Sequence, residues 1–417
     1  MSFGLFKSSA PPIAVDFGVS ALKMLQLLPG DPPSLLAAAM LATPDELIDK
    51  PAERLSFQTE ALPNLLRKGG FRGKRAVCSV SCTQAFVQHM QVQPTPGART
   101  EFLVSEQVRL ITGRDPSGFV LRHIDVCEVS RGGVKKQEVI VIALPRETVI
   151  EHMKALKSVR LEPVGVHTEH MALSRSIGHL QRRAEDKQST IMLVDLGYGS
   201  TKVVVVREGE PVLAKSVLIA GRQLDGAVAK AGKCALSDAR RRRAVDGVSR
   251  VSPLQSAPRA ILSASSAVPA AKSTSGGSGG GSGGGTGATT LAEDRRVNAT
   301  PPGFTALTPG VAPQDDPALA EQTLAETIAD EIAMCHRYHQ ALFPDHAVDR
   351  VIFTGGGAER PDLCQAVTNA LRLPTLAADP LSGLPRPGDF KALGLDLSRP
   401  TPGWAMPLGL AVSPTDL

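Results

Sequence analysis

The sequence reads IAVDFGVSALK at residues 13–23 and MLVDLGYGSTK at residues 192–202. Each segment is an apolar run that ends in an aspartate, followed by one apolar residue, a glycine, a short turn and then a lysine. This pattern predicts a strand, a tight turn at a glycine where the backbone can approach a ligand, and a second strand. Because the pattern occurs twice, the sequence predicts a duplicated nucleotide-binding fold.

The two predicted hairpins could form one phosphate site. Backbone N–H groups in the turns would face phosphate oxygens, while Asp16 and Asp195 hold a hydrated Mg²⁺ that bridges those oxygens. A third element, VIFTGGG at residues 351–357, predicts a buried strand that leads into a helix opening at Pro361, whose N-terminus favours negative charge. The predicted ATP-binding residues come from these three elements: Gly18, Ser20, Lys23, Gly197, Ser200, Thr201, Gly355, Gly356 and Gly357.

Composition excludes several classes of protein. The 417 residues, enough for roughly two or three domains, carry a net charge of only +5, which argues against a nucleic-acid partner. The six cysteines form no CxxC pair, so neither a zinc site nor a disulfide framework is indicated. No apolar run approaches the roughly 18 residues of a membrane span, and the first residues do not read as a signal peptide. We therefore expect a soluble cytoplasmic protein.

Short apolar runs bounded by turn residues alternate with helical stretches along most of the chain. Helical spacing is seen at residues 145–159 and 317–342. This alternation predicts layered α/β domains. The predicted strands are the six buried-strand runs at residues 13–17, 76–80, 139–144, 191–195, 203–206 and 351–354.

Residues 239–318 depart from this pattern, with a Gly/Ser run at 273–290 and few bulky apolar side chains. Such a composition predicts a disordered insertion. The run RRRR at residues 240–243 could touch nucleic acid or anionic lipid, but a solvated charge run is the better interpretation.

Beyond these motifs, four longer segments carry a family resemblance. They are residues 139–173 (containing LEPVGVHTEHMAL), residues 193–224 (LVDLGYGSTKVVVVREGEPVLAKSVLIAGRQL), residues 352–363 (IFTGGGAERPDL) and residues 406–412 (MPLGLAV). On these motifs the chain resembles the PilM family of type IV pilus assembly proteins, in the actin-like ATPase superfamily. The resemblance implies a duplicated actin-like, ribonuclease H-like ATPase fold with ATP and Mg²⁺ as ligands.

The resemblance also implies a domain organisation. Two actin-like halves would carry a small extra α/β subdomain, with the disordered insertion inside the second half. The implied boundaries are 1–97 and 162–190 for the first half, 98–161 for the extra subdomain, 191–238 and 319–417 for the second half, and 239–318 for the insertion.

The resemblance implies an ATP-binding scaffold of type IV pilus or related secretion assembly, peripheral at the inner membrane. Its partner would be the cytoplasmic N-terminal peptide of a PilN-like membrane protein; other pilus proteins or a second copy are further candidates, and nucleic acid is not. An FtsA-like cell-division protein and a small-molecule kinase are the alternatives.

The family's first turn usually carries three hydroxyls, and only Ser20 remains here. Glu169 and Gln223 could position a water, but the residues predict at most a weak ATPase. Lys202 stands where the family commonly has a neutral polar residue.

Overall fold

The computed structural model describes residues 10–131, 133–178, 188–249 and 316–415. Six strands in this part of the chain form the first sheet. From edge to edge they are β14 (Lys391–Leu393), β3 (Ser34–Ala42), β2 (Ala21–Leu28), β1 (Ile13–Phe17), β4 (Arg75–Val80) and β8 (Glu162–Thr168). Strand β1 is antiparallel to β2 and parallel to β4.

A second sheet repeats this order. Its strands are β11 (Glu210–Val217), β10 (Thr201–Arg207), β9 (Ile191–Leu196), β12 (Arg350–Thr354) and β13 (Thr375–Ala377). Strand β9 is antiparallel to β10 and parallel to β12, as β1 is to β2 and β4. The repeated order confirms the duplication predicted from the two Asp-x-Gly segments.

Helices cover the two sheets. Against the first sheet lie α1 (Pro51–Gly69) and α3 (Arg146–Ser158), and on the second half lie α5 (Gly221–Ala231), α6 (Leu236–Ser249), α7 (Pro317–Leu342) and α8 (Pro361–Leu371). Helix α7 begins where predicted because Pro317 opens its first turn and the Asp316 carboxylate accepts a hydrogen bond from the Ala318 N–H at 2.9 Å. The buried residues of α7 recur at helical spacing, so they lie on one face of the helix, and that face packs inward.

A third, three-stranded sheet forms the extra subdomain. Its order is β5 (Phe86–Val92), β7 (Val134–Pro145) and β6 (Phe119–Arg131), and helix α2 (Thr100–Thr112) packs against it. Strand β5 pairs along its whole length with β7, so residues 86–92 share a sheet with strands of the expected subdomain 98–161.

The C-terminal segment returns to the first half. Strand β14 pairs with β3, and helix α9 (Ala405–Ala411) packs on β1, β2 and helix α4 (Glu169–Ile177). Leu173 of α4 and Leu408 of α9 belong to one buried cluster that also contains residues of both sheets. Residues 391–393 and 405–411, which the expected range 319–417 assigns to the second half, therefore pack against the first half.

The arginine run also differs from its prediction. Residues 239–249 continue helix α6; Arg241 and Arg242 are exposed as predicted, whereas Arg243 is buried. Helix α7 starts at Pro317, slightly before the expected end of the insertion. The remainder of the predicted insertion, residues 250–315, lies outside the described residues.

Candidate functional site: two matched hairpins and a glycine loop

The β1–β2 and β9–β10 hairpins face each other across the junction of the halves. Asp16 stands opposite Lys23 in the first hairpin, and Asp195 stands opposite Lys202 in the second, so the register is duplicated. The turns meet, because a side-chain carbon added at Gly199 would lie 2.6 Å from a methyl group of Val19. The structure thus brings together the two halves of the predicted phosphate site.

Each turn is held by the first helix that follows it. The Gln58 side chain of α1 donates a hydrogen bond to the Gly18 carbonyl at 2.8 Å. In the second half the N–H groups of Gly221 and Arg222, at the start of α5, donate to the Gly197 and Tyr198 carbonyls at 3.2 and 2.9 Å. Because these turn carbonyls accept bonds from the scaffold, the turns have a fixed shape.

The glycine loop after β12 packs against the second hairpin. Gly355 has φ of +82°, which favours glycine, and a side-chain carbon there would lie 2.6 Å from the Leu196 carbonyl oxygen. A carbon added at Gly357 would lie 2.8 Å from the Leu196 side chain, whereas one at the exposed Gly356 would meet nothing within 4 Å. Close packing therefore requires Gly355 and Gly357, and Gly356 borders open space.

Asp16 is buried at the end of β1. The Ser79 hydroxyl donates a hydrogen bond to its Oδ1 at 3.1 Å. Burial raises the pKa of Asp16 to about 6, and the nearby Lys23 offsets part of that effect. Lys23 itself directs its Nζ to the Gly403 carbonyl, at 2.5 Å, in the loop before α9. The first half thus contributes one carboxylate with a high proton affinity and one ammonium group.

Asp195 is buried at the end of β9 with both oxygens hydrogen-bonded. Oδ2 accepts from Lys202 Nζ at 2.9 Å, and Oδ1 accepts from the Thr354 hydroxyl at 3.1 Å. Lys202 Nζ also lies 3.6 Å from Oε2 of Glu169, which accepts the Cys82 N–H at 2.8 Å. Burial would lower the pKa of Lys202, but Asp195 and Glu169 outweigh burial and place it well above the ordinary value.

The predicted hydroxyl donors of the second turn bond to protein groups. Ser200 Oγ lies 2.9 Å from the Cys82 thiol, and Thr201 Oγ1 donates to the Ile219 carbonyl at 3.0 Å. Gln223 likewise accepts the Ala220 N–H at 3.0 Å. These side chains support the turn and the start of α5 from within the protein.

Ion pairs join the two halves near the second turn. Arg222 pairs with Asp49, and Arg240 pairs with Asp45 at 2.8 Å, each joining the second half to the first. The Arg240 guanidinium also lies 4.6 Å from the ring centre of Tyr198 in the second turn. Arg240, from the arginine run predicted to be solvated, therefore lies beside the second turn.

Ser79, Thr354, Gln58 and Gly403 also belong to the site, although no local sequence pattern marks them. Ser79 is the penultimate residue of β4 and Thr354 is the last residue of β12, the strands parallel to β1 and β9. Each hydroxyl donates a hydrogen bond to the aspartate of the neighbouring strand, so Ser79 and Thr354 have equivalent roles in the two halves. An alignment of the two halves on the Asp-x-Gly segments is the signal that could have found them.

Among the described helices, none is both long and apolar enough to cross a bilayer. A family model described as type IV pilus assembly protein PilM matches residues 14–248. Among solved structures, the PilM-PilN type IV pilus biogenesis complex matches at 18% identity, with TM-score 0.65, over 97% of this chain and 98% of that chain.

Two further structures match over most of this chain. Ethanolamine utilization protein EutJ from Carboxydothermus hydrogenoformans is 12% identical, with TM-score 0.45, over 96% of this chain and 89% of that one. MreB5 of Spiroplasma citri bound to ADP is 11% identical, with TM-score 0.43, over 96% of this chain and 94% of that one. The predicted actin-like fold is confirmed. Because the family model spans more than half of the 417 residues, the chain belongs to the PilM family of type IV pilus assembly proteins.

Proposed function

We propose that this chain is an ATP-binding scaffold of type IV pilus assembly. The observation that carries the proposal is the pair of matched hairpins that meet at Val19 and Gly199, with the glycine loop beside them. Backbone N–H groups of the two turns would bind phosphate oxygens, because glycines allow the close approach that backbone donors need. The nucleotide would lie beside Gly356, where the loop borders open space.

The predicted Mg²⁺ at Asp16 and Asp195 stays a prediction, and the residues fit it unequally. Asp16 has one side-chain donor, Ser79, and could accept from a metal-bound water. Asp195 already accepts from an ammonium and a hydroxyl. In the described ranges, no three His, Cys, Asp or Glu side chains are grouped to hold a metal ion directly. A metal shared equally by both aspartates therefore does not fit this arrangement.

The proposed partner is the cytoplasmic N-terminal peptide of a PilN-like inner-membrane protein, which would place the chain at the membrane. Support comes from the likeness in fold to the PilM-PilN complex over nearly the whole chain. The peptide would bind where the extra subdomain joins the first half. There β8 is an edge strand, and Val149 of α3 and Val166 of β8 pack on one apolar cluster. An edge strand beside apolar side chains suits an extended peptide.

We expect Val149→Asp to weaken binding of this peptide at least about tenfold, because a charge would enter the apolar cluster. Calorimetric titration of a synthetic PilN-like peptide into the full chain measures the effect. Ile150→Asp is the matched control, since Ile150 is the next residue of the same helix and is 47% exposed. Equal affinities of the two folded variants, or no binding to the unaltered chain up to millimolar peptide, would contradict this partner site.

A further inference from the structure

The two duplicated lysines contact different groups. Lys23 and Lys202 occupy the same position in their hairpins, each opposite an aspartate. Lys23 Nζ binds the Gly403 carbonyl at 2.5 Å, whereas Lys202 Nζ binds Asp195 at 2.9 Å and lies 3.6 Å from Glu169. Lys202 is therefore the counter-ion of the carboxylate that was predicted to anchor a metal.

The Lys202 ammonium lies directly beneath the second turn. A side-chain carbon added at Gly197 would lie 3.0 Å from Nζ, so the charge is next to the backbone proposed to hold phosphate. The lysine side chain is only 7% exposed, and its two carboxylate partners hold it in place. A fixed ammonium group, paired with two carboxylates, is thus built into the protein next to the turn that would receive phosphate.

Two ammonium groups offset two of the three carboxylate charges of the site without a divalent ion. Three buried carboxylates, Asp16, Asp195 and Glu169, face two ammonium groups, Lys23 and Lys202, which together carry the formal charge of one Mg²⁺. A divalent ion at Asp195 would have to displace the Lys202 ammonium or sit beside it, and like charges repel strongly at such a distance. The residues at Asp195 therefore disfavour a metal there.

We propose that the Lys202 ammonium takes over the charge-neutralising role of a divalent cation at Asp195, so that this chain binds ATP without a bound metal ion. The inference rests on the proposed ATP site and specifies the form of its ligand as a metal-free nucleoside triphosphate. Lys202 is then a determinant of ligand form, and the Asp195 carboxylate serves to position it.

Titration of ATP into the full chain, once in excess MgCl₂ and once in excess EDTA, tests this inference on the unaltered protein. The dissociation constant in EDTA is expected to be no larger than that in MgCl₂, because excess Mg²⁺ converts free ATP into its metal complex. Binding that weakens more than about tenfold in EDTA would overturn the inference and leave the ATP site standing. Absence of binding in both buffers would overturn the ATP site itself, and with it the inference.

A variant pair assigns the effect to Lys202. Lys202→Thr places a neutral residue that suits a strand, and it is expected to make binding at least about tenfold tighter in MgCl₂ than in EDTA. Lys215→Thr removes the same charge from β11, where Lys215 pairs with Glu331, and should behave like the unaltered chain. Metal-independent binding by folded Lys202→Thr would overturn the role of Lys202. If Lys202→Thr does not fold, the comparison of ATP affinity in MgCl₂ and in EDTA on the unaltered chain still tests the inference.

Discussion

Replacement of Gly409 by alanine is expected to lower the free energy of unfolding by about 3 kcal/mol or more. Gly409 lies in α9, and an added side-chain carbon would overlap the Ala172 carbonyl oxygen of α4, with the carbonyl carbon only 2.5 Å away. That obstacle is helix backbone, which cannot move aside as a flexible side chain could. The two helices would have to separate, which would open the cluster that joins both sheets.

A matched glycine controls for helix propensity. Gly226 lies inside α5, and a carbon added there would meet nothing within 4 Å. Gly226→Ala should therefore raise stability by up to about 1 kcal/mol, the ordinary effect of alanine in a helix. Urea unfolding of the three proteins measures both changes. A Gly409→Ala variant as stable as the unaltered chain would show that α9 does not pack so closely on α4.

Replacement of Arg243 by methionine is expected to cost about 3–5 kcal/mol, because it leaves a buried carboxylate without its counter-ion. Arg243 donates to Asp225 and, at 2.6 Å, to Glu321, and all three side chains are at least 90% buried. In this variant Glu321 would still pair with Arg360 at 2.7 Å, whereas Asp225 would lose its ion pair with Arg243. Methionine retains most of the apolar stem of arginine, so the lost stability would come from the missing charge and not from lost packing.

Two further variants separate this charge effect from other causes. Arg241→Met removes a 73%-exposed arginine that pairs with Asp238 in the same helix, and should change stability by no more than about 1 kcal/mol. Adding Asp225→Asn to Arg243→Met should restore part of the lost stability, because the unpaired charge is removed. Equal melting temperatures for Arg243→Met and Arg241→Met would contradict the buried ion-pair network.

Local pattern was enough to predict the central strands and the duplication. Strands β1, β9 and β12 are buried along almost all of their length, so they read as apolar runs, and their glycine turns follow directly. Helix α7 carries its start signal and its periodicity in adjacent residues. These features depend on nearest neighbours in the chain, which is why the sequence predicts them well.

Local sequence patterns do not predict features that depend on residues distant in the chain. Strand β14 has three residues and gains its place only by pairing with β3, more than three hundred residues earlier. Arg243 reads as one of four solvated arginines, yet its burial depends on carboxylates of α5 and α7. The ion pair of Lys202 with Glu169 likewise joins residues of different halves. Such contacts have no local signal, so only the folded chain reveals them.

The central claim, that nucleotide binds beside the two hairpins and the glycine loop, is tested most directly by blocking the space next to that loop. Gly356→Phe adds a ring where the glycine loop borders open space, and Gly388→Phe adds the same ring at an exposed position with equal room. Calorimetric titration of ATP, once in excess MgCl₂ and once in excess EDTA, compares both with the unaltered chain. We predict one saturable site in the unaltered chain and in Gly388→Phe, and binding at least about tenfold weaker in a Gly356→Phe variant that melts at the same temperature. Unchanged affinity in folded Gly356→Phe would contradict the claim.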